Sequence, residues 1–224
     1  MTCIPVREGE SRVIIYKLDG CGAPLEGATN KLVFRAAEVG YEDAITDGDE
    51  VNETDFGGRS LYSAVGRDKI NNIGVNVTLG SMVPSFDVFT MGAAEKTSGG
   101  EVLGYGRTDI ESAAGVAVEF LIQIDADACT EGATASPIAG WFFPRVKNWK
   151  PNAGTTLNGT DLLKPAYTAK GFKNASIFDG SPTDTDFAKW ASIHDAGDEW
   201  YTFYAFDGGS YTLPEPTCEP TLFT

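Results

Sequence analysis

Catalysis in this chain would have to draw on a short set of residues, and each lacks a partner at the spacing the chemistry needs. The only histidine is His194, with Asp195 beside it. A general base and the acid that orients it converge from separate parts of the backbone, which adjacent residues seldom do. His194 therefore reads as a solvent-facing histidine at a helix end. No GxSxG, HExxH or P-loop pattern occurs, and Gly104-Tyr-Gly-Arg107 has only the first two glycines of a dinucleotide fingerprint, with no βαβ context. Asp47-Gly-Asp49, Asp125-Ala-Asp127 and Asp184-Thr-Asp186 carry oxygen ligands of the kind Ca²⁺ takes, yet none continues into a loop closed by a distal glutamate, so they read as solvated turns. A carboxylate pair for glycoside hydrolysis is not singled out. Trp141, Trp149, Trp190 and Trp200 could stack on sugars, although aromatic residues of this kind usually fill cores or interfaces. The expectation is a protein that is not an enzyme and has no cofactor and no metal.

What the chain does concentrate is charge. Glu38, Glu42, Asp43, Asp47, Asp49, Glu50, Glu53 and Asp55 follow one another with no Lys or Arg between Arg35 and Arg59. Close exposed pairs of like charge cost up to about 1 kcal/mol each, so a compact fold would not gather them without a use; a solvated loop is the plainer alternative. The sign reverses from Arg145 to Lys173, where Arg145, Lys147, Lys150, Lys164, Lys170 and Lys173 face only Asp161, a local balance of +5. The formal net charge of −15 argues against a surface that neutralises nucleic-acid phosphates or binds an anionic membrane.

These residues need elements to carry them. The composition, 42% hydrophobic and 11% aromatic with 26 Gly and 11 Pro, is that of one folded, turn-rich body rather than a disordered chain. Alternation of apolar residues predicts strands over Arg12–Leu18, Lys31–Arg35, Asn72–Leu79, Gly115–Asp125, Ile138–Val146 and Trp200–Phe206, and a weaker one over Leu61–Val65. The Gly115–Asp125 run is expected at the centre of a sheet. Pro144 removes a ladder donor and so favours an edge or a bulge. Pro84-Ser-Phe-Asp-Val-Phe-Thr-Met-Gly92 changes period: Phe86 and Phe89 share a face, Pro84 and Asp87 suit the first turn and Gly92 a stop, which predicts a helix. Phe187, Trp190, Ala191 and His194 predict a second short helix within 183–194. The end, residues 213–224, is a Pro-rich extended tail. The fold class expected is mainly β, an antiparallel sandwich with one or two short helices, as a single domain over 1–224.

The N-terminus has no apolar signal segment and no run is long enough to span a bilayer, so a soluble protein made in a cytoplasm is expected, with Cys3, Cys21, Cys129 and Cys218 reduced and serving as small apolar fillers.

Several separated stretches resemble one family. Arg12-Val-Ile-Ile-Tyr-Lys-Leu-Asp-Gly-Cys-Gly-Ala-Pro24 is similar to the opening of the tail tube (major tail) proteins of long-tailed bacteriophages that infect high-GC Gram-positive bacteria, where a charged strand runs into an Asp-x-Cys-Gly-x-Pro turn. Asn76-Val-Thr-Leu-Gly-Ser-Met-Val-Pro-Ser-Phe-Asp-Val-Phe-Thr-Met-Gly92 resembles the family's strand and Pro-acid-Phe helix, with Ser85 at the usual acidic position. Trp141-Phe-Phe-Pro-Arg145 and Pro214-Glu-Pro-Thr-Cys218 resemble its aromatic strand and its Pro-rich ending. Residues 179–198 do not match the family and read as an insertion, so the short helix there carries no functional inference.

The resemblance implies a β-sandwich protomer with a flanking helix built on Pro84, Phe86, Asp87 and Phe89. It implies hexameric rings that stack into a virion tail, each protomer lending a long hairpin, here around 31–79, to a closed inner barrel. The eight acids would then line a conduit through which DNA passes without specific binding, and the six bases would meet a neighbouring protomer or ring. The implied partners are further copies of the chain, a tape-measure protein and tail-terminator or tail-tip proteins, with no membrane. A secreted or surface β-sandwich binding module is the other class left open, because Asp19-Gly-Cys-Gly-Ala-Pro-Leu-Glu-Gly27 also resembles the turn that opens some adhesin domains.

Overall fold

The computed structural model describes residues 8–46, 50–54, 60–65, 68–80, 83–99, 101–106, 114–124, 138–152, 164–179, 185–206 and 213–216. Within them the chain is mainly β. The strands are β1 (Glu8–Lys17), β2 (Lys31–Phe34), β3 (Ala36–Thr46), β4 (Glu50–Thr54), β5 (Ser60–Val65), β6 (Lys69–Leu79), β7 (Ala94–Ser98), β8 (Glu101–Gly106), β9 (Val116–Ile124), β10 (Ile138–Pro151), β11 (Ala166–Phe172) and β12 (Thr202–Phe206). The helices are α1 (Pro84–Met91) and the single-turn α2 (Thr185–Ala188), which tightens into a 3₁₀ turn over Lys189–Ser192.

One antiparallel sheet runs in the order β2-β1-β9-β10-β11-β6-β3, with β12 pairing the first half of β10. Its two end strands, β2 and β3, are separated in sequence by Arg35 alone. Laid flat, six inter-strand spacings would set them about 29 Å apart, whereas two peptide units span about 7 Å. The sheet is therefore rolled, and Ser11 Oγ on β1 donates to the Ala36 carbonyl on β3 at 3.3 Å across the seam.

The roll encloses a core contributed by both ends of the sheet: Val13, Ile15, Leu32 and Phe34 from one, Ile73, Val75, Val77, Leu79, Tyr167 and Ala169 from the other. Helix α1 plugs it. Phe86 is fully buried, with its ring 5.6 Å from Phe34, 5.2 Å from Trp149 and 4.5 Å from Tyr167. Pro84 occupies the first turn and Gly92 closes the helix in the left-handed region at φ 65°, as the residue types predict.

A second core covers the opposite face of β1, β9 and β10. Ile14, Tyr16, Ala117, Leu121 and Phe142 pack beneath Ile177, Phe187 and Trp190. Residues 174–179 and 185–196, most of them in the stretch expected to be an insertion, thus form the lid of this core. The lid explains why His194 is 5% exposed rather than solvent-facing: Phe142 and Phe178 pack against its ring. It also explains the burial of Trp190. Glu119, on the polar-looking side of the predicted β9, is fully buried there. Tyr16 Oη donates to it at 3.0 Å and Lys189 Nζ lies 2.5 Å away.

Three further expectations change. At Pro144 strand β10 is not an edge, since it lies within the stretch paired with β9; the proline falls where that pairing shifts between Phe143 and Val146, so the bulge reading holds. Cys21 is exposed in the Asp19 turn rather than filling a core, because Asp19 Oδ1 accepts from the backbone N–H of Cys21, Gly22 and Ala23 and draws that turn outward. Asn174, part of a sequon, is buried and donates through Nδ2 to the Gly22 and Pro144 carbonyls at 2.8 and 3.2 Å. Cys3, Cys129, Cys218, the Asp47-Gly-Asp49 and Asp125-Ala-Asp127 pairs and residues 217–224 lie outside the described residues. Leu213–Pro216 runs outside the ladders, as a Pro-rich end should, and the Pro214 carbonyl accepts from Arg12 Nε at 2.9 Å.

Candidate assembly surface

The described residues of the acidic stretch form strand rather than loop. Strand β3 pairs with β6 from Ala36↔Leu79 to Thr46↔Lys69, and β4 pairs with β5 from Glu50↔Val65 to Thr54↔Ser60, two successive ladders nested in one long hairpin. Its ascending arm begins at Ala36, not at Lys31. Residues Lys31–Phe34 instead pair with β1, because Leu32 and Phe34 face the main core and Val33 the second. Helix α1 follows the hairpin's descending arm through Val83, so the seating of Phe86 anchors that arm to the body.

The cross-strand register decides which charges share a face. Glu42 lies opposite Gly74, Gly74 opposite Lys170 and Lys170 opposite Lys147; the next row reads Gly40, Asn76, Thr168 and Lys150, and the next Glu38, Thr78 and Ala166. Partners in register project to the same side of a sheet. Val75, Val77 and Ala169 point into the core, so these rows lie on the free face of the layer β10-β11-β6-β3. A groove of about 810 Å³ crosses this face, bordered by Glu42 and Ala44 on one side and Lys150 and Lys170 on the other.

The eight predicted acids are therefore not one lining. Glu38 and Glu42 are exposed on the free face. Asp43 is exposed on the opposite side of β3, where its charge, after burial and the Tyr41 phenol, helps push the Tyr201 phenol up. Glu50 and Glu53 lie within β4, while Asp47, Asp49 and Asp55 are outside the described residues. Tyr41 is 43% exposed yet its ring lies 5.9 Å from Phe143 and 4.9 Å from Tyr201, which ties the β3 edge to the β10 and β12 side of the roll.

The six bases also divide. Lys147, Lys150 and Lys170 gather on the free face. Arg145 Nε donates to the Ala114 carbonyl at 3.0 Å, and Lys173 Nζ sits 5.6 Å over the Trp200 ring. Lys164, two residues before β11, is exposed. In the flanking helix Asp87 accepts from the Tyr167 phenol, whose pKa burial and that carboxylate push up, and Phe89 underlies Lys17 Nζ at 4.3 Å.

Two strand edges of this layer are open among the described residues. Strand β3 ladders only with β6, and beyond Val146 the second half of β10 ladders only with β11, with Gly115 still packed against Lys147. One open edge is acidic and the other basic. Sequence reasoning had the charges but not the edges. Ile45, 56% exposed beside Glu42 and Asp43, is the apolar residue it overlooked, and its place in an acidic run gave no signal.

No protein-family profile matches the chain, and no curated protein matches it. Among solved structures it is similar to a sheath–tube complex of an extracellular contractile injection system (PVC) in the extended state, at 14% identity over 75% of this chain and 85% of that chain. The TM-score is 0.31, a likeness too slight to bear on fold or function.

Proposed function

We propose that the chain is a structural subunit that assembles with copies of itself into stacked rings, forming a phage-type tail tube rather than an enzyme. The observation that carries this reading is the layer β10-β11-β6-β3, with a long acidic edge on β3 and a basic edge on β10. An open edge strand is a template for pairing with another chain, and soluble monomers normally blunt or cover it. Strands alternate in direction across this layer, and their number is even. Head-to-tail joining of β10 in one copy to β3 in the next therefore keeps every junction antiparallel, and a heterologous contact that closes on itself makes a ring.

Closure also chooses the inner wall. The other side of the layer carries the packed core and α1, bulk that fits only on the outside of a ring, so the free face with the groove turns inward. Such a wall carries acids and lysines in separate stripes, and the chain's net charge of −15 keeps the assembly from holding DNA tightly as it passes. The long hairpin extends each ring toward the next. Hexameric rings, a tape-measure protein in the bore and tail-terminator or tail-tip proteins at the ends accord with the resemblance of the N-terminal turn, the Pro84 helix and the Trp141–Arg145 strand.

Negative-stain microscopy of the purified protein across a concentration series tests the proposal. Rings or tubes are expected; a protein that stays monomeric at high concentration overturns it.

A further inference from the structure

The groove on the free face of the layer β10-β11-β6-β3 is lined by polar side chains that the protomer leaves unused. Glu42, Asn72, Asn76, Thr168, Lys150 and Lys170 border it, and none of them makes a side-chain hydrogen bond or ion pair with another described residue. Comparable side chains elsewhere are engaged: Asn174 donates to two carbonyls, Thr202 donates to Glu199 and Lys189 meets Glu119. Lys147 takes no part in the groove, and Gly115 packs against it. Lys150 reaches the groove because β10 is bulged there; Asn148 has φ 60°, and the register with β11 shifts between Lys147 and Lys150.

Two glycines that the backbone does not require keep the floor low. Gly40 on β3 and Gly74 on β6 lie in neighbouring rows of the ladder, and neither has a positive φ. A Cβ on Gly40 would meet nothing within 4 Å, and one on Gly74 would meet the Glu42 carbonyl at 3.5 Å and its Cβ at 4.0 Å, ordinary contact distances. Glycine weakens the interior of a strand, and where neither conformation nor packing calls for it, it marks a place where another backbone comes close. The walls define the chemistry of that backbone. Glu42 flanks Gly74 on one side and Lys170 on the other, about 10 Å apart across two strand spacings. A main chain lying over Gly74 therefore has an acid on one flank and a base on the other. Asn72, Asn76 and Thr168 each donate and accept, as peptide groups do. The phosphates of DNA only accept, and they are repelled by Glu42 and by the net charge of −15.

We propose that this groove binds an extended polypeptide segment whose side chains alternate between basic and acidic. Successive side chains of an extended chain point to opposite sides. Such a segment turns its basic residues toward the β3 wall and its acidic ones toward Lys170 and Lys150. In the ring this face lines the bore, so the segment belongs to a protein held there. That placement rests on the assembly reading; the chemistry of the groove does not.

The test uses the full chain and two fluorescent dodecapeptides, one alternating Lys and Glu and one with the same residues in two blocks. Fluorescence anisotropy is expected to show the alternating peptide binding at least about tenfold more tightly, because each block sets like charge against one of the walls. Gly74→Val fills the floor at ordinary contact distances, so near-ultraviolet circular dichroism should show an intact fold while the preference is lost. Glu42→Lys should weaken the alternating peptide by a similar factor. Combining it with Lys170→Glu should restore binding, since sliding an alternating chain by one residue exchanges its two sides. A block peptide that binds as tightly, or a folded Gly74→Val protein that keeps the preference, overturns the proposal. Duplex DNA that displaces the alternating peptide assigns the groove to a polyanion and also overturns it. Negative-stain microscopy separates the two readings. Rings or tubes without a peptide preference leave the assembly standing and overturn this inference, whereas a monomer that binds the alternating peptide overturns the assembly and supports the groove.

Discussion

Substitution of Lys189 by methionine tests whether the lid over the second core is held by charge or by apolar packing alone. Glu119 is fully buried, and its carboxylate is balanced by Lys189 Nζ at 2.5 Å and Tyr16 Oη at 3.0 Å. Burial pushes the Glu119 carboxyl above its ordinary value, and Lys189, with Tyr16 and the Trp190 indole, offsets part of that. Removing one partner of a buried pair leaves the other charge uncompensated, a cost of about 3–5 kcal/mol. Methionine keeps the apolar stem of the lysine, which separates the charge from its packing. Glu119→Gln in the same background removes the orphaned charge and keeps an acceptor for Tyr16, so the double variant is expected within about 1–2 kcal/mol of wild type. The cycle then yields a coupling of at least about 2 kcal/mol. The pH dependence has a definite sign. A carboxyl whose folded pKa lies above its unfolded value contributes stability at low pH that is lost as pH rises through the folded pKa. The Lys189→Met deficit should therefore shrink on acidification from pH 8 toward the ordinary carboxyl value of 4.5. Urea denaturation at several pH values measures this, and hydrogen exchange over 185–196 reports whether the lid loosens before the body. A Lys189→Met variant within about 1 kcal/mol of wild type, or strictly additive single and double variants, would refute the reasoning.

Two further outcomes follow from the packing. Phe86→Ala empties the site where α1 meets Phe34, Trp149 and Tyr167, and is expected to cost about 3–5 kcal/mol by denaturant unfolding, with Phe86→Leu losing less than half as much. Burial lowers the His194 pKa against the opposing pull of Glu199 and Asp195, while Nδ1 lies 2.7 Å from Thr202 Oγ1 and 3.2 Å from Glu199 Oε2; a group with a depressed folded pKa stabilises above its unfolded value, 6.5, and loses that contribution as pH falls through the folded one, so thermal midpoints should drop on acidification below 6.5 and His194→Gln should flatten that part of the profile.

Local chemistry made much of the fold legible in advance. Alternation over Gly115–Asp125 and Asn72–Leu79 named β9 and the end of β6, and Pro84, the Phe86 and Phe89 spacing and Gly92 named α1 within a residue. These signals depend on neighbours within one or two turns of chain, which is why they survive without any knowledge of the fold. The candidate surface was legible only as an inventory of charges. Eight acids in a run and six bases in another do not say which share a face, because a strand's facing is set by register and a bulge of one residue reverses it, as Asn148 does for Lys150.

Residue types and their spacing were enough to establish that this protein is mainly β, that its charge is segregated along the chain, and that a helix follows the acidic stretch. It took the closed fold to show that Arg35 joins the two ends of a rolled sheet, that Glu119 and His194 lie beneath a lid, and that the acidic β3 and the basic end of β10 lie at opposite sides of one layer. Each of those facts depends on contacts between residues far apart in the chain. Pairing partners are selected by the closure of a whole core, and no local pattern of residue types encodes that choice.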